Sequence, residues 1–383
     1  MRILHLCLAC FYIDGYNYQE NILPRIDREN GNEVLVIAST ETYVNNSELG
    51  YVEPGEYTTF DGIHVIRIPY ENLISKTLTR KIRKYKGLYE QIEKFRPDVI
   101  MSHDLCFSSV TDVVKYKKHN PEIKFYADTH TASYNSGKSW ISLYILHRLI
   151  YKYAIRRTIP YLEKYFYIGI SEKKFSVKNY SVPESIMEYF PLGGVLLSET
   201  EYERFRQEKR RELGIAENEL LFLHSGKLET RKRTEELISA FRQVKSLKAK
   251  MVVIGSIPEG RKSILEELLC GERIAYLGWK DADELKAYLC AADLYCQPGS
   301  VSATLQQAIC CYCPVMGYPH EEYKHINGLY GNFIWIKTEN DMKIVFQKIA
   351  ENRLELDRYQ ESARRCAAEL LDYEKLVEKY TKR

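Results

Sequence analysis

No stretch of the sequence approaches the ~18 consecutive apolar residues that a membrane-spanning helix needs. The apolar stretch 141–149 is interrupted by His147 and Arg148. The opening Met1-Arg2-Ile3-Leu4-His5 lacks the extended apolar core and small-residue cleavage site of a secretory leader. Neither sign of charge dominates: 55 Lys and Arg face 52 Asp and Glu, leaving a net +3, too balanced to imply a nucleic-acid partner. Ten cysteines, several of them adjacent, make no disulfide framework, so a reducing cytoplasm is the expected location. There is no repeat at a solenoid period and no low-complexity tract. What is present is an ordinary globular composition, 45% hydrophobic and 28% charged, which excludes disordered and collagen-like classes. A length of 383 residues accommodates two or three domains.

Two passes of alternating strand and helix signals run along the chain. Apolar runs at 3–9, 34–39, 63–68, 99–102, 124–127, 166–170 and 186–190 alternate with helical patterns at 18–29 and 79–95. Over 191–211 the alternation breaks into Gly193-Gly194 and a charged run, a linker candidate. It then resumes with strands at 220–223, 251–254, 274–277, 294–296 and 314–316, separated by helices at 234–244, 262–269, 282–291 and 303–312. Short apolar runs alternating with helices predict an α/β architecture of mostly parallel sheets covered on both faces. In such sheets ligands sit outside the carboxyl ends of the strands, so the loops that follow strands carry the chemistry. Residues 338–383 are helical in pattern throughout.

Two of those loops suit an anion. His224-Ser225-Gly226-Lys227-Leu228-Glu229-Thr230-Arg231-Lys232 joins a strand to a helix. It offers Gly226 for close backbone approach and cations at Lys227 and Lys232, a combination that suits a pyrophosphate; a solvated basic turn would have the same pattern. The second loop, 298–304, brings Ser302, Ala303 and Thr304 to a helix start, where their amides can meet a phosphate, or where a hydroxyl simply caps the helix. In the first half, Asp128-Thr129-His130-Thr131 closes a strand where a histidine can bind substrate or orient a reacting group. His103-Asp104 is a similar but weaker case. The near-Walker stretch 255–263 places its lysine one residue late. Asp281 and Asp283 begin a helix, where acids are favoured anyway. Cys7 and Cys10 lack a second pair, and Cys310, Cys311 and Cys313 fall on a helix without a histidine at ligand spacing, so buried thiols are expected. Basic residues Lys76, Arg80, Lys81, Arg83, Lys84 and Lys86, with the aromatic-basic stretch 138–167 around Trp140, read either as solvated helix faces or as a surface that touches anionic lipid.

Taken in order, these segments resemble the family-4 retaining glycosyltransferases of the GT-B fold. Gly15 fits the family's glycine loop, sixteen residues before Gly31-Asn32-Glu33-Val34. Asp128-Thr129-His130-Thr131 is similar to its active-site histidine segment, and Tyr167-Ile168-Gly169-Ile170-Ser171-Glu172 to its Ser-Glu turn. Pro191-Leu192-Gly193-Gly194-Val195 resembles its linker. Gly226-Lys227-Leu228 with Lys232 resembles the Gly-Arg-Leu-x-x-x-Lys donor loop, and Leu277-Gly278-Trp279 and Ala292-Asp293-Leu294 match two further landmarks. The family's Glu-x7-Glu motif is altered: aligned backward from Pro314-Val315, Gln307 stands at the second glutamate and Gly299 at the first.

The resemblance implies two Rossmann-like domains facing across a cleft: 1–195 on the acceptor side, 196–365 holding the nucleotide sugar, and 366–383 as a helix crossing back to the first. It implies a hexosyltransferase acting in polysaccharide or glycoconjugate biosynthesis. The sugar would pass from a nucleoside diphosphate, UDP foremost, to a glycan or lipid-linked acceptor, with retention of configuration. His130, Lys227 and Lys232 would be catalytic; Gly15, Gly299, Ser302, Ala303, Thr304 and Gln307, with the two lysines, would line the donor. No metal or other cofactor is expected, nor nucleic acid; peripheral contact with the inner membrane face is. A sugar-nucleotide epimerase and a degenerate binding subunit are the alternatives, the latter because Gly299 cannot replace a carboxylate.

Overall fold

The apolar runs at the start of each half form neighbouring parallel strands, which need no polar alternation because both sheet faces are covered. The computed structural model describes residues 1–45, 48–71, 75–327, 330–352 and 354–382. Contacts divide it into two units, Met1–Pro191 with Leu376–Arg383, and Leu192–Lys375. Strands of the first unit are β1 (Arg2–Cys7), β2 (Glu33–Ser39), β3 (Glu41–Asn45), β4 (Glu48–Tyr51), β5 (Gly55–Thr58), β6 (His64–Ile68), β7 (Val99–Ser102), β8 (Lys124–Ala127), β9 (Lys164–Tyr167) and β10 (Met187–Tyr189). Eight of them form one sheet in the order β10-β9-β8-β7-β1-β2-β6-β5, parallel except for β5 against β6. Leu4, Leu6, Ile37, Ile100, Phe125 and Tyr165 belong to its core. The remaining pair, β3 and β4, is an antiparallel hairpin; with most of β4 exposed, it has no apolar pattern to announce it.

The second unit has β11 (Leu220–Ser225), β12 (Ala249–Ile254), β13 (Ile274–Tyr276), β14 (Leu294–Gln297), β15 (Val315–Gly317) and β16 (Phe333–Trp335). Their order is β13-β12-β11-β14-β15-β16, parallel throughout. Strand order reverses beside β1 in the first sheet and beside β11 in the second. These are the switch points where doubly wound sheets open a crevice.

Four expectations need correction. The helix expected over 79–95 is two, Lys76–Ile82 and Leu88–Phe95, because Arg83 turns left-handed (φ 52°) and buried Tyr85 donates to the Leu8 carbonyl at 2.7 Å. The charged run expected as a linker is the helix Glu199–Glu212, opened by a Ser198–Glu201 capping box. It is anchored by buried Tyr202, by Arg206 and Arg210 on Asp293, and by Tyr288 on Glu212 at 2.8 Å. The helix bearing Cys310 stops there: Tyr312 is left-handed (φ 59°), so Cys311 and Cys313 are buried just beyond it. Finally, residues 192–195 and 366–375 group with the second unit, whose core takes in Cys366, Ala367 and Leu371. Only from Leu376 does the terminal helix (Tyr373–Thr381) belong to the first unit, where Tyr380 is fully buried.

Candidate active site

In the second unit the two loops singled out in the sequence follow β11 and β14, the adjacent strands that flank the switch point. They are bound together: Ser300 donates its amide to the Arg231 carbonyl at 2.9 Å, and Arg233 donates to the Pro298 carbonyl at 3.1 Å. The contact is close enough to dictate residue type. A Cβ on Gly299 would fall 2.0 Å from Arg231 O and 2.8 Å from the Lys232 backbone. Gly299 O accepts from His320 Nε2 at 2.8 Å, so neither its Cα nor its carbonyl is free to face a ligand. The absent side chain is a packing requirement of this loop pair.

The two lysines differ in kind. Lys227 is exposed and paired with Glu229 at 3.3 Å. Lys232 is buried to 7% exposure and has no carboxylate within ion-pair distance among the described residues. Its amine lies close over the Gly226 backbone, 3.2 Å from where a Cβ would stand. Burial, reinforced by Arg231, brings its pKa down to about 8. A buried amine without a counter-ion is a site that an anion would complete. His224, at the end of β11, is neutral: burial holds it down to about 4, and its Nδ1 donates to the Cys296 carbonyl at 2.7 Å while Nε2 accepts from Thr234 Oγ1 at 2.9 Å. It ties β11 to β14 and to the following helix, and fixes the base of the loop.

The helix Ala303–Cys310 begins at Ser302. Of the three amides expected to face a phosphate, that of Ser302 is committed to Tyr323 Oη at 3.1 Å. Those of Ala303 and Thr304 lie in the first helical turn, which has no intrahelical acceptors. Gln307 lies on the exposed side one turn further in. His320 and Tyr323 escaped the sequence reading, since nothing in their spacing points back to residues 299–302. Among the described residues, no group of three or more His, Cys, Asp or Glu side chains is placed to hold a metal.

In the first unit, Gly15 is left-handed (φ 78°) in the loop after β1, exposed near Phe60. His103 and His130 follow β7 and β8, and one carboxylate joins them. Asp128 Oδ2 lies 2.9 Å from His103 Nδ1 and Oδ1 lies 3.5 Å from His130 Nε2. The Asp104 amide donates to Oδ1 at 2.9 Å. Asp104 in turn accepts from Thr131 Oγ1 at 2.6 Å. Asp128 and His103 are fully buried, whereas the His130 side chain is 28% exposed. Although burial opposes both charges, Asp128 raises His103 and His130 to about 9. Burial notwithstanding, the two imidazoles hold the Asp128 carboxyl well below the usual carboxylate range. These histidines gain charge partners on folding, so their stabilisation is complete below pH ~6.5 and is lost as pH rises through ~9. The urea midpoint should therefore fall between pH 7 and 10, and fall less in His130→Gln; parallel profiles would count against the pairing.

Both units are doubly wound α/β sheets, parallel but for β5 against β6, and together they have the GT-B fold of the solved structures named below. Residues 205–366 match the family described as glycosyl transferases group 1, so the second unit carries a domain of that kind. No curated protein matches it by sequence. Among solved structures it is similar to HepE from Anabaena in complex with UDP, at 12% identity and TM-score 0.64 over 99% of this chain and 98% of that one. It is also similar to WaaG, a glycosyltransferase of lipopolysaccharide biosynthesis, at 16% identity and TM-score 0.59 over all of both chains. The catalytic domain of starch synthase IV from Arabidopsis thaliana, bound to ADP and acarbose, aligns at 12% identity and TM-score 0.64 over 100% and 99%.

Proposed function

We propose that the protein transfers a hexosyl group from a UDP-sugar to a glycan or lipid-linked acceptor, with retention of configuration. The observation that carries the reading is Lys232: a buried amine with no carboxylate within ion-pair distance among the described residues, at the switch point of the group 1 domain. HepE binding UDP, and starch synthase IV binding ADP, support a nucleoside diphosphate as the anion it takes. Lys232 and the amides of Ala303 and Thr304 would stabilise the diphosphate as charge develops on it. Lys227 would contribute from the loop's exposed side, and Gln307 a hydrogen bond to the ribose. His130, held as a cation by Asp128, would orient the sugar. With these groups supplying positive charge, the donor site needs no resident metal. The group 1 match favours this reading over an epimerase or a binding subunit.

The test is transfer of labelled sugar from UDP-glucose and related donors to polysaccharide and lipid-linked acceptors, in excess EDTA. Tight UDP binding with turnover in EDTA is expected; absence of UDP binding would overturn the reading.

The acceptor side carries a second proposal, peripheral contact with an anionic membrane. No helix among the described residues is long and apolar enough to cross one. The π-helical segment Ile141–Tyr151 and its flanks nevertheless expose Trp140 (67%), Ile141 (61%) and Leu149 (62%), interspersed with Lys138, Arg148 and Lys152. Aromatic and aliphatic side chains among cations suit an anionic lipid surface. The protein should sediment with phosphatidylglycerol vesicles at low salt and not with phosphatidylcholine ones, and Trp140→Ser with Leu149→Ser should cut binding about tenfold. Equal binding by wild type and variant would assign this segment elsewhere.

A further inference from the structure

Behind His130 a line of buried polar groups crosses the first unit. It begins at the terminal helix, where Tyr380 Oη donates to Asp27 Oδ2 at 2.8 Å. The same oxygen lies 2.9 Å from His5 Nε2, His5 Nδ1 lies 3.1 Å from His103 Nε2, and His103 Nδ1 lies 2.9 Å from Asp128 Oδ2. The two rings are nearly parallel, 12° apart. His5, Asp27, His103 and Asp128 are all at 0% exposure, so no water competes for these bonds.

The bonds can be counted. Three hydrogen bonds in series, Asp27–His5, His5–His103 and His103–Asp128, require three protons. Two neutral imidazoles bring two. The line therefore holds one proton beyond the neutral pair, and with both carboxylates ionised that proton is a positive charge on the imidazoles between them. Asp128 thus faces a cation on each side, the line on Oδ2 and His130 on Oδ1. We propose that His5, His103 and Asp27 are positioning residues for His130: acting through Asp128, they fix the orientation of that carboxylate and apportion its charge between the line and the His130 ring. The proposal rests on His130 as the sugar-orienting residue, and adds the groups that set its state. The other titratable groups facing these rings are Cys7, Glu20 and Asp104, with Tyr380 against His5; none of them bridges His103 to His130 as Asp128 does.

Asp27→Asn tests the proposal with little change in shape. Its amide nitrogen, in the place of Oδ2, can donate one hydrogen to His5 Nε2 and the other to Tyr380 Oη, which turns from donor to acceptor; the amide then supplies the third proton, and the line becomes neutral with its three bonds kept. Asp128 then faces one cation instead of two and holds His130 more firmly. In the full-length protein labelled with ¹⁵N-histidine, the His130 titration should move up by ~0.5–1 pH unit. The alkaline limb of kcat/KM for the UDP-sugar should move by the same amount. The wild-type spectrum gives an independent count: three N–H protons on the four nitrogens of His5 and His103 at pH 7.5 are expected. Two such protons, or an unmoved His130 in folded Asp27→Asn, would overturn the proposal. Should Asp27→Asn fail to fold, the wild-type count decides alone. Failure of the donor reading shows separately, as absent UDP binding, and leaves the histidine spectra to be judged on their own.

Discussion

Lys232→Ala should weaken UDP binding by ~10- to 100-fold, the worth of one or two charge-assisted hydrogen bonds, ~1.5–3 kcal/mol. The expected loss is this large because burial has already removed the water that would otherwise hydrate the amine and lowered its pKa to about 8. The same displacement predicts a proton linkage. At pH 8.5 the free site is largely uncharged at Lys232, and a bound diphosphate restores the charge by drawing in a proton. Calorimetry in two buffers of different ionisation enthalpy should register uptake approaching one proton per UDP, and affinity should fall as pH rises through 8. Lys227→Ala should cost far less, since that side chain is 65% exposed and already paired. Equal losses for the two lysines, or no proton uptake, would place the diphosphate elsewhere.

The second large effect is expected at Gly299. Alanine there puts a methyl group 2.0 Å from a carbonyl oxygen and 2.8 Å from two further backbone atoms. Backbone cannot rotate away as a side chain can, so the two loops must part. A loss of about 3 kcal/mol is expected, together with loss of UDP binding, because Lys232 belongs to the segment displaced. Gly299→Glu, which restores the residue expected by resemblance, should do the same and not rescue a carboxylate function. Gly260→Ala is the control, with nothing within 4 Å of its Cβ. A normal urea midpoint and unchanged UDP affinity for Gly299→Ala would refute the close packing.

The parallel strands and the loops after β11 and β14 were legible in the sequence, because apolar runs and strand-to-helix glycines leave a local signature. The supporting groups were not. His5 sits inside an apolar strand with no local cue beyond its own presence, and its partners are 22 and 98 residues away. His320 and Tyr323 reach the loop at 299–302 from 21 residues downstream. The helix Glu199–Glu212 looked like a linker because its buried face is little more than Tyr202 and the stems of its arginines. Aligning Gly299 with a missing glutamate treated a position as vacant that the structure fills with backbone.

Tyr380 has a consequence for how the chain is made. The first unit's sheet ends at β10, yet the hydroxyl that reaches Asp27 arrives only after all of Leu192–Lys375 has been synthesised. At cellular elongation rates that interval is roughly 10–40 s. Through it the nascent first unit has its strands but a buried carboxylate short of a donor and an uncovered groove where Leu376, Val377 and Tyr380 will lie. Nascent chains arrested before Leu376 should therefore be more protease-sensitive in 1–191 than released ones, and a separately supplied 373–382 peptide should protect them.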